Sequence, residues 1–128
     1  MTERAFVGRM TKAANYLDDA HLPESQLATD ERLRCAIDAA YIALLEVAVR
    51  HGLDFDAIDP DAHPALEVIG LALDFVELPT HDAVLMTEYA NLMHRRYLEP
   101  LDERLDIYQV QRWARRIVAL VEHHLAAD

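Results

Sequence analysis

A single cysteine, Cys35, stands in the whole chain, which excludes an intramolecular disulfide and a cysteine-built zinc site. The only serine, Ser25, lies in a polar connection without the glycine-rich elbow that a serine nucleophile uses. Three glycines are too few for a phosphate-cradling loop, and none form one. The five prolines fall at apparent element ends. Scarce glycine and proline argue for helices joined by short links rather than a many-stranded β fold. No apolar run is long enough to cross a bilayer, and the first residues, MTERAFVGRM, lack the apolar core of a signal peptide. A cytoplasmic protein with no membrane association is the expectation. Positive charge is also short: the net charge is −11 at pH 7, which repels nucleic acid on average.

What is abundant is hydrophobic surface, 52% of 128 residues, enough for one real core and therefore one domain spanning 1–128. It is densest in Thr29–His51. Leu33, Ile37, Ala40, Tyr41, Leu44, Val47 and Ala48 make one apolar stripe at helical spacing. Cys35, Ile42, Leu45 and Val49 cover much of the opposite side, interrupted by Arg34, Asp38, Glu46 and Arg50. A helix apolar on nearly all sides must be buried on nearly all sides, so this is the central helix of a bundle.

Around it the spacing predicts a first helix from about Thr2 to Ala20, with Phe6, Met10, Ala13, Leu17 and Ala20 inward. Thr29 or Asp30 is expected to cap the central helix and Gly52 to end it. Leu53, Phe55 and Ile58 are expected to tuck a polar connection against the bundle. A third helix is expected from Pro64 to about Val76, and a fourth, capped by Thr80, runs to about Leu98 with Leu85, Tyr89, Leu92, Met93 and Tyr97. The last is capped by Asp106 and carries Ile107, Val110, Ala114, Ile117, Val118, Val121 and Leu125, with Trp113 and Leu120 on one flank. The fold class expected is an all-α, up-and-down antiparallel bundle of four to five helices.

Few constellations carry chemistry. Di-metal bundle sites use a Glu-x-x-His step, which this chain lacks. His123 and His124 are adjacent and point about 100° apart on a helix, so no metal or cofactor is expected. Asp38 and Glu46 lie among apolar residues and need partners. Either that side is half-exposed, or Asp38, Ile42, Leu45, Glu46 and Val49 form a two-fold interface closed by a partner's arginines. The basic residues are uneven: His94, Arg95, Arg96 and Tyr97 end the fourth helix, and Arg104, Arg112, Arg115 and Arg116 follow. Antiparallel neighbours would gather His94, Arg95, Arg96, Tyr97, Arg112, Arg115 and Arg116 into a phosphate or nucleic-acid site. The bland alternative pairs those arginines with Glu99, Asp102, Glu103 and Asp106 at a solvated surface.

The order AANYLDDA, AIDAAYIALLEVA ending RHGL, a histidine-proline and HRRYLEP resembles HEPN-type domains across most of the chain. That resemblance implies a dimerising helical bundle. Many such domains are ribonucleases of toxin–antitoxin and defence systems. Others are inactive partners of nucleotidyltransferases, or bind nucleotides or RNA. Active members carry an arginine four to six residues before a histidine. Asn91, His94 and Tyr97 echo that segment, but Glu88, Tyr89 and Ala90 stand where the arginine belongs. Arg116 and His123 meet the spacing only deep in the last helix. The expectation is therefore a non-catalytic homodimer binding a partner protein, a nucleotide or RNA. The alternatives are an active metal-independent ribonuclease and a bundle that binds a small apolar ligand.

Overall fold

The computed structural model describes residues 2–54, 56, 64–94 and 100–127, with side chains from residue 8 onward. Five α-helices follow one another: α1 Thr2–Asp19, α2 Thr29–Arg50, α3 Leu66–Leu73, α4 Thr80–His94 and α5 Ile107–Ala127. A 3₁₀ turn, Leu101–Glu103, precedes α5. The described residues contain no strand, so the chain is an all-α bundle, as its glycine- and proline-poor sequence predicts. No helix among them is long and apolar enough to cross a membrane.

The expected centre is the centre. Every residue of α2 from Ala36 to Ala48 is buried, which closes both the main stripe and the opposite side. Ala36, Ala39, Ala40 and Ala43 let neighbouring helices approach α2 closely. α1 packs antiparallel to it: Arg9 meets Glu46 near one end, and Asp19 lies within electrostatic reach of Cys35 near the other. α5 runs in the same sense as α2. At one end Gln111 Nε2 donates to the Ala20 carbonyl, beside the start of α2, and at the other His51 meets His124. α3 also follows α2, since Tyr41 hydrogen-bonds the Ala65 backbone while His51 stacks on Phe75. Directions thus alternate between α1 and α2 but not from α2 to α3. The connection after Gly52 is long enough to bring the chain back before α3 begins.

Local chemistry explains most boundaries. Gly52, at φ 108°, ends α2, with Gly52 N–H bonded to the Val49 carbonyl and Leu53 N–H to the Ala48 carbonyl. This double bond across a left-handed glycine is the Schellman arrangement. Asp106 caps α5 as expected, its Oδ1 accepting the Tyr108 N–H at 3.1 Å.

Three expected starts are corrected. Ala28, not Thr29 or Asp30, holds the capping position of α2 and makes no side-chain bond there. Asp30 Oδ1 instead accepts the Leu101 N–H at 2.6 Å, and Thr29 Oγ1 accepts from Arg32 at 2.9 Å. The Asp30 oxygen serves a tertiary contact and the Thr29 oxygen a side chain of the same first turn, so neither caps the helix's N–H groups. The Pro79 carbonyl opens the α4 ladder, which makes Thr80 its first residue rather than its cap. Pro64 stands ahead of α3, which is shorter than expected, although the Val76 N–H still reaches the Ala72 carbonyl at 2.9 Å. Phe55, Ile58, Tyr97 and the Phe6 side chain lie outside the described residues, as does any α4 turn toward Leu98.

Leu44 is fully buried on the main stripe. Leu44→Ala should cost about 2–5 kcal/mol in urea unfolding. A loss below about 1 kcal/mol would show that α2 does not carry the core.

Candidate functional site

His94 ends α4, and its Nε2 lies 2.7 Å from the Pro64 carbonyl. A carbonyl only accepts, so Nε2 donates, and in the neutral ring Nδ1 is left as an acceptor. One helical turn back, Asn91 is exposed beside it. Ala65, Leu66, Glu67, Asn91 and His94 line an open cleft of about 340 Å³ between the start of α3 and the end of α4. Its wall is mostly apolar, with an amide, an imidazole and a carboxylate at the rim. Tyr41 reaches the same corner of α3, and burial pushes its phenol upward against the opposing pull of the Ala65 backbone bond.

Arg116 is not part of this cleft. Its guanidinium grips Asp82 with two bonds, at 2.9 Å and 3.2 Å, in the first turn of α4. Asp82 and His94 are twelve residues apart on one helix, about 18 Å along its axis. Asp82 and Tyr89, seven residues apart on α4, meet Trp113 and Arg116, which lie within one turn of α5, so the two helices cross instead of lying end beside start. The Trp113 indole donates to the Asp82 carbonyl at 3.1 Å, and Tyr89 packs edge-on to Trp113 at 4.7 Å. The expected gathering of Arg116 with His94 is thereby corrected. Arg112 and Arg115 are exposed on α5, while Arg95, Arg96 and Tyr97 lie outside the described residues.

The face expected to meet a second subunit is covered within the chain. Asp38, Ile42, Leu45 and Glu46 are all buried and Val49 is half-buried, with α1 packed over them. Glu46 finds its arginine at home: Arg9 Nη1 lies 2.7 Å from Oε1, and Arg50 lies 3.8 Å from Oε2. Arg34 stands 3.8 Å from Asp38 in the same helix. The surplus apolar surface inferred for α2 belongs to α1.

No family model, curated protein or solved structure matches this chain. The site's own geometry therefore carries the functional reading.

Two buried polar residues were not singled out in the sequence as site or core residues: Asp82 and Gln111. An acid in a helix's first turn is common enough to hide Asp82. Gln111 sits beside Val110 on the inner face of α5, yet its bond to Ala20 spans 91 residues and leaves no local signal.

Two outcomes follow from this arrangement. Ile42→Glu would place a carboxylate beneath α1, and we expect a loss of at least 3 kcal/mol in chemical unfolding. A variant as stable as the wild type but altered in sedimentation would return this face to subunit contact. Burial, then the carboxylates of Asp19 and Asp38, push the Cys35 thiol up to about 11 from 9.0. A rise of about two units leaves about a hundredfold less thiolate, so alkylation at pH 8 should be about a hundred times slower in the folded than in the unfolded chain. Equal rates would show that the thiol is open and unperturbed.

Proposed function

We propose that this chain is a non-catalytic, HEPN-like binding protein that takes an RNA segment or a nucleotide at the His94 end of α4. The observation that carries the reading is the cleft itself. The Asn91 amide and the free acceptor nitrogen of His94 stand one turn apart over an apolar floor that includes Leu66. An unstacked base offers the matching chemistry, a flat apolar face with donors and acceptors on its edge. Arg95 and Arg96 follow His94 directly in the sequence and supply the cationic character that a phosphate calls for.

The same geometry argues against a ribonuclease. The Pro64 carbonyl orients the His94 ring and leaves its other nitrogen open, so the surroundings of the ring decide against catalysis. Arg116, one of the three α5 arginines expected at a phosphate, is committed to Asp82. Glu67 is the charged carboxylate on the cleft wall and opposes a developing phosphorane charge.

A cytoplasmic location and a homodimer belong to this reading. Among the described residues, the large apolar side chains that face outward for a second copy are Leu66, Phe75, Val84 and Tyr108, not the α1-covered face. A partner protein such as a nucleotidyltransferase remains compatible with the same surface.

The test is fluorescence binding of short single-stranded RNAs and of mononucleotides, with a cleavage assay in excess chelator. We expect binding without cleavage, weakened about tenfold or more by His94→Ala or Asn91→Ala, as for loss of a charged or polar contact of about 1.4 kcal/mol. Chelator-resistant cleavage that disappears in His94→Ala would make the protein a ribonuclease. Absence of RNA and nucleotide binding, with uptake of an apolar dye at the cleft, would make it a carrier of small apolar ligands.

A further inference from the structure

The polar rim of the His94 cleft is rich in hydrogen-bond acceptors. Its groups come from two helices, Glu67 from the first turn of α3 and Asn91 and His94 from the end of α4. Because the Pro64 carbonyl takes the His94 Nε2 proton, the neutral ring has only the Nδ1 lone pair left to offer. Among the described residues no cation pairs with Glu67, which is exposed. Burial first, and then the Glu67 charge, push the Tyr41 phenol up, against the pull of the Ala65 backbone bond, so that carboxylate acts on the same corner of the fold. The Asn91 amide adds N–H donors to this rim.

A carboxylate on a cleft wall repels a phosphate but suits the edge of a base. It accepts through two oxygens side by side, so its best partner presents two N–H groups side by side. Guanine does so with N1–H and N2–H. Adenine and cytosine each present one amino group beside a bare ring nitrogen, whose lone pair would face the second carboxylate oxygen. Uracil presents one N–H between two carbonyl oxygens, with the same repulsion. The guanine O6 lies beside N1–H and can accept from the Asn91 amide. Ala65 and Leu66 offer the flat face of the ring an apolar contact. At about 340 Å³ the cleft stands at the low end of the range of small-molecule sites, about 300–1,000 Å³, which suits a single base.

We propose that Glu67 is the specificity-determining residue of this cleft and selects guanine, in a single-stranded RNA or a free nucleotide, over the other bases. This rests on the reading of the cleft as an RNA or nucleotide site and adds the base that it takes. The base edge meets the α3 wall, and repulsion by Glu67 keeps the phosphates away from that wall.

Fluorescence binding of hexauridine RNAs carrying one central guanine, hypoxanthine, adenine or cytosine is the test. The guanine strand should bind about tenfold or more tighter than the adenine and cytosine strands. Hypoxanthine keeps N1–H but lacks the 2-amino group, and its strand should fall between them. Glu67→Gln removes an acceptor and should bring the guanine strand to within about threefold of the others. Glu88→Gln removes the same charge from an exposed position of α4 outside the cleft and should keep the full preference. Guanosine monophosphate that displaces the guanine strand where adenosine monophosphate does not supports a free nucleotide as ligand; guanine selectivity without that displacement supports the RNA strand. Circular dichroism checks that both variants are folded. Strands that bind alike, or a preference that survives Glu67→Gln, overturn the guanine proposal and leave the RNA or nucleotide reading standing. No binding of any strand or nucleotide overturns both.

Discussion

The need to keep α2 out of water organises this molecule. Thirteen consecutive residues, Ala36 to Ala48, are buried, so no face of that helix is left for solvent. One neighbour cannot cover a cylinder, and α1, α3, α4 and α5 all contribute to the same core. Apolar area removed from water contributes about 25 cal/mol per Å², which makes complete enclosure the favourable arrangement. The alanines on α2 make that enclosure possible by shortening the distance to its neighbours.

Enclosure on all sides carries an electrostatic consequence. Asp38 and Glu46 interrupt the apolar pattern and go inside with it. A buried charge without a partner costs several kcal/mol, so the cover must bring cations along. Arg9 of α1 does this for Glu46 with a 2.7 Å contact, and Arg34 and Arg50 reach back from one helical turn away. Asp82 repeats the pattern at the α4–α5 crossing, where Arg116 grips its carboxylate and Trp113 its carbonyl. Arginine supplies a rigid planar fork for such pairs, which explains why these cations are occupied and unavailable to a phosphate. Local charge counts along a sequence do not reveal that occupation.

The histidine contacts differ in how much of them the chain order displays. Asn91 and His94 stand one turn apart on one helix, so their neighbourhood is visible in the sequence. Pro64, which fixes the His94 ring, is thirty residues away and is not. His51 and His124 are separated by 73 residues, and only the shared direction of α2 and α5 joins them. His123 and His124 diverge on one helix, whereas the ring that His124 meets, His51, ends a different helix.

The sequence by itself determined the helices, their central member and most of their inward faces, because a 3.6-residue apolar period is a local property of the chain. It also determined the stop at Gly52 and the cap at Asp106, which depend on a few adjacent residues. Tertiary structure decided which neighbour covers the second side of α2. An apolar face records that it must be covered, not whether α1 or another subunit covers it. It decided as well that Asp30 ties the 3₁₀ turn instead of capping its helix, that Arg116 serves Asp82, and that α2 and α5 end together. Each of these depends on the relative direction and crossing of helices, which arise from the packing of whole surfaces and leave no trace in any one segment.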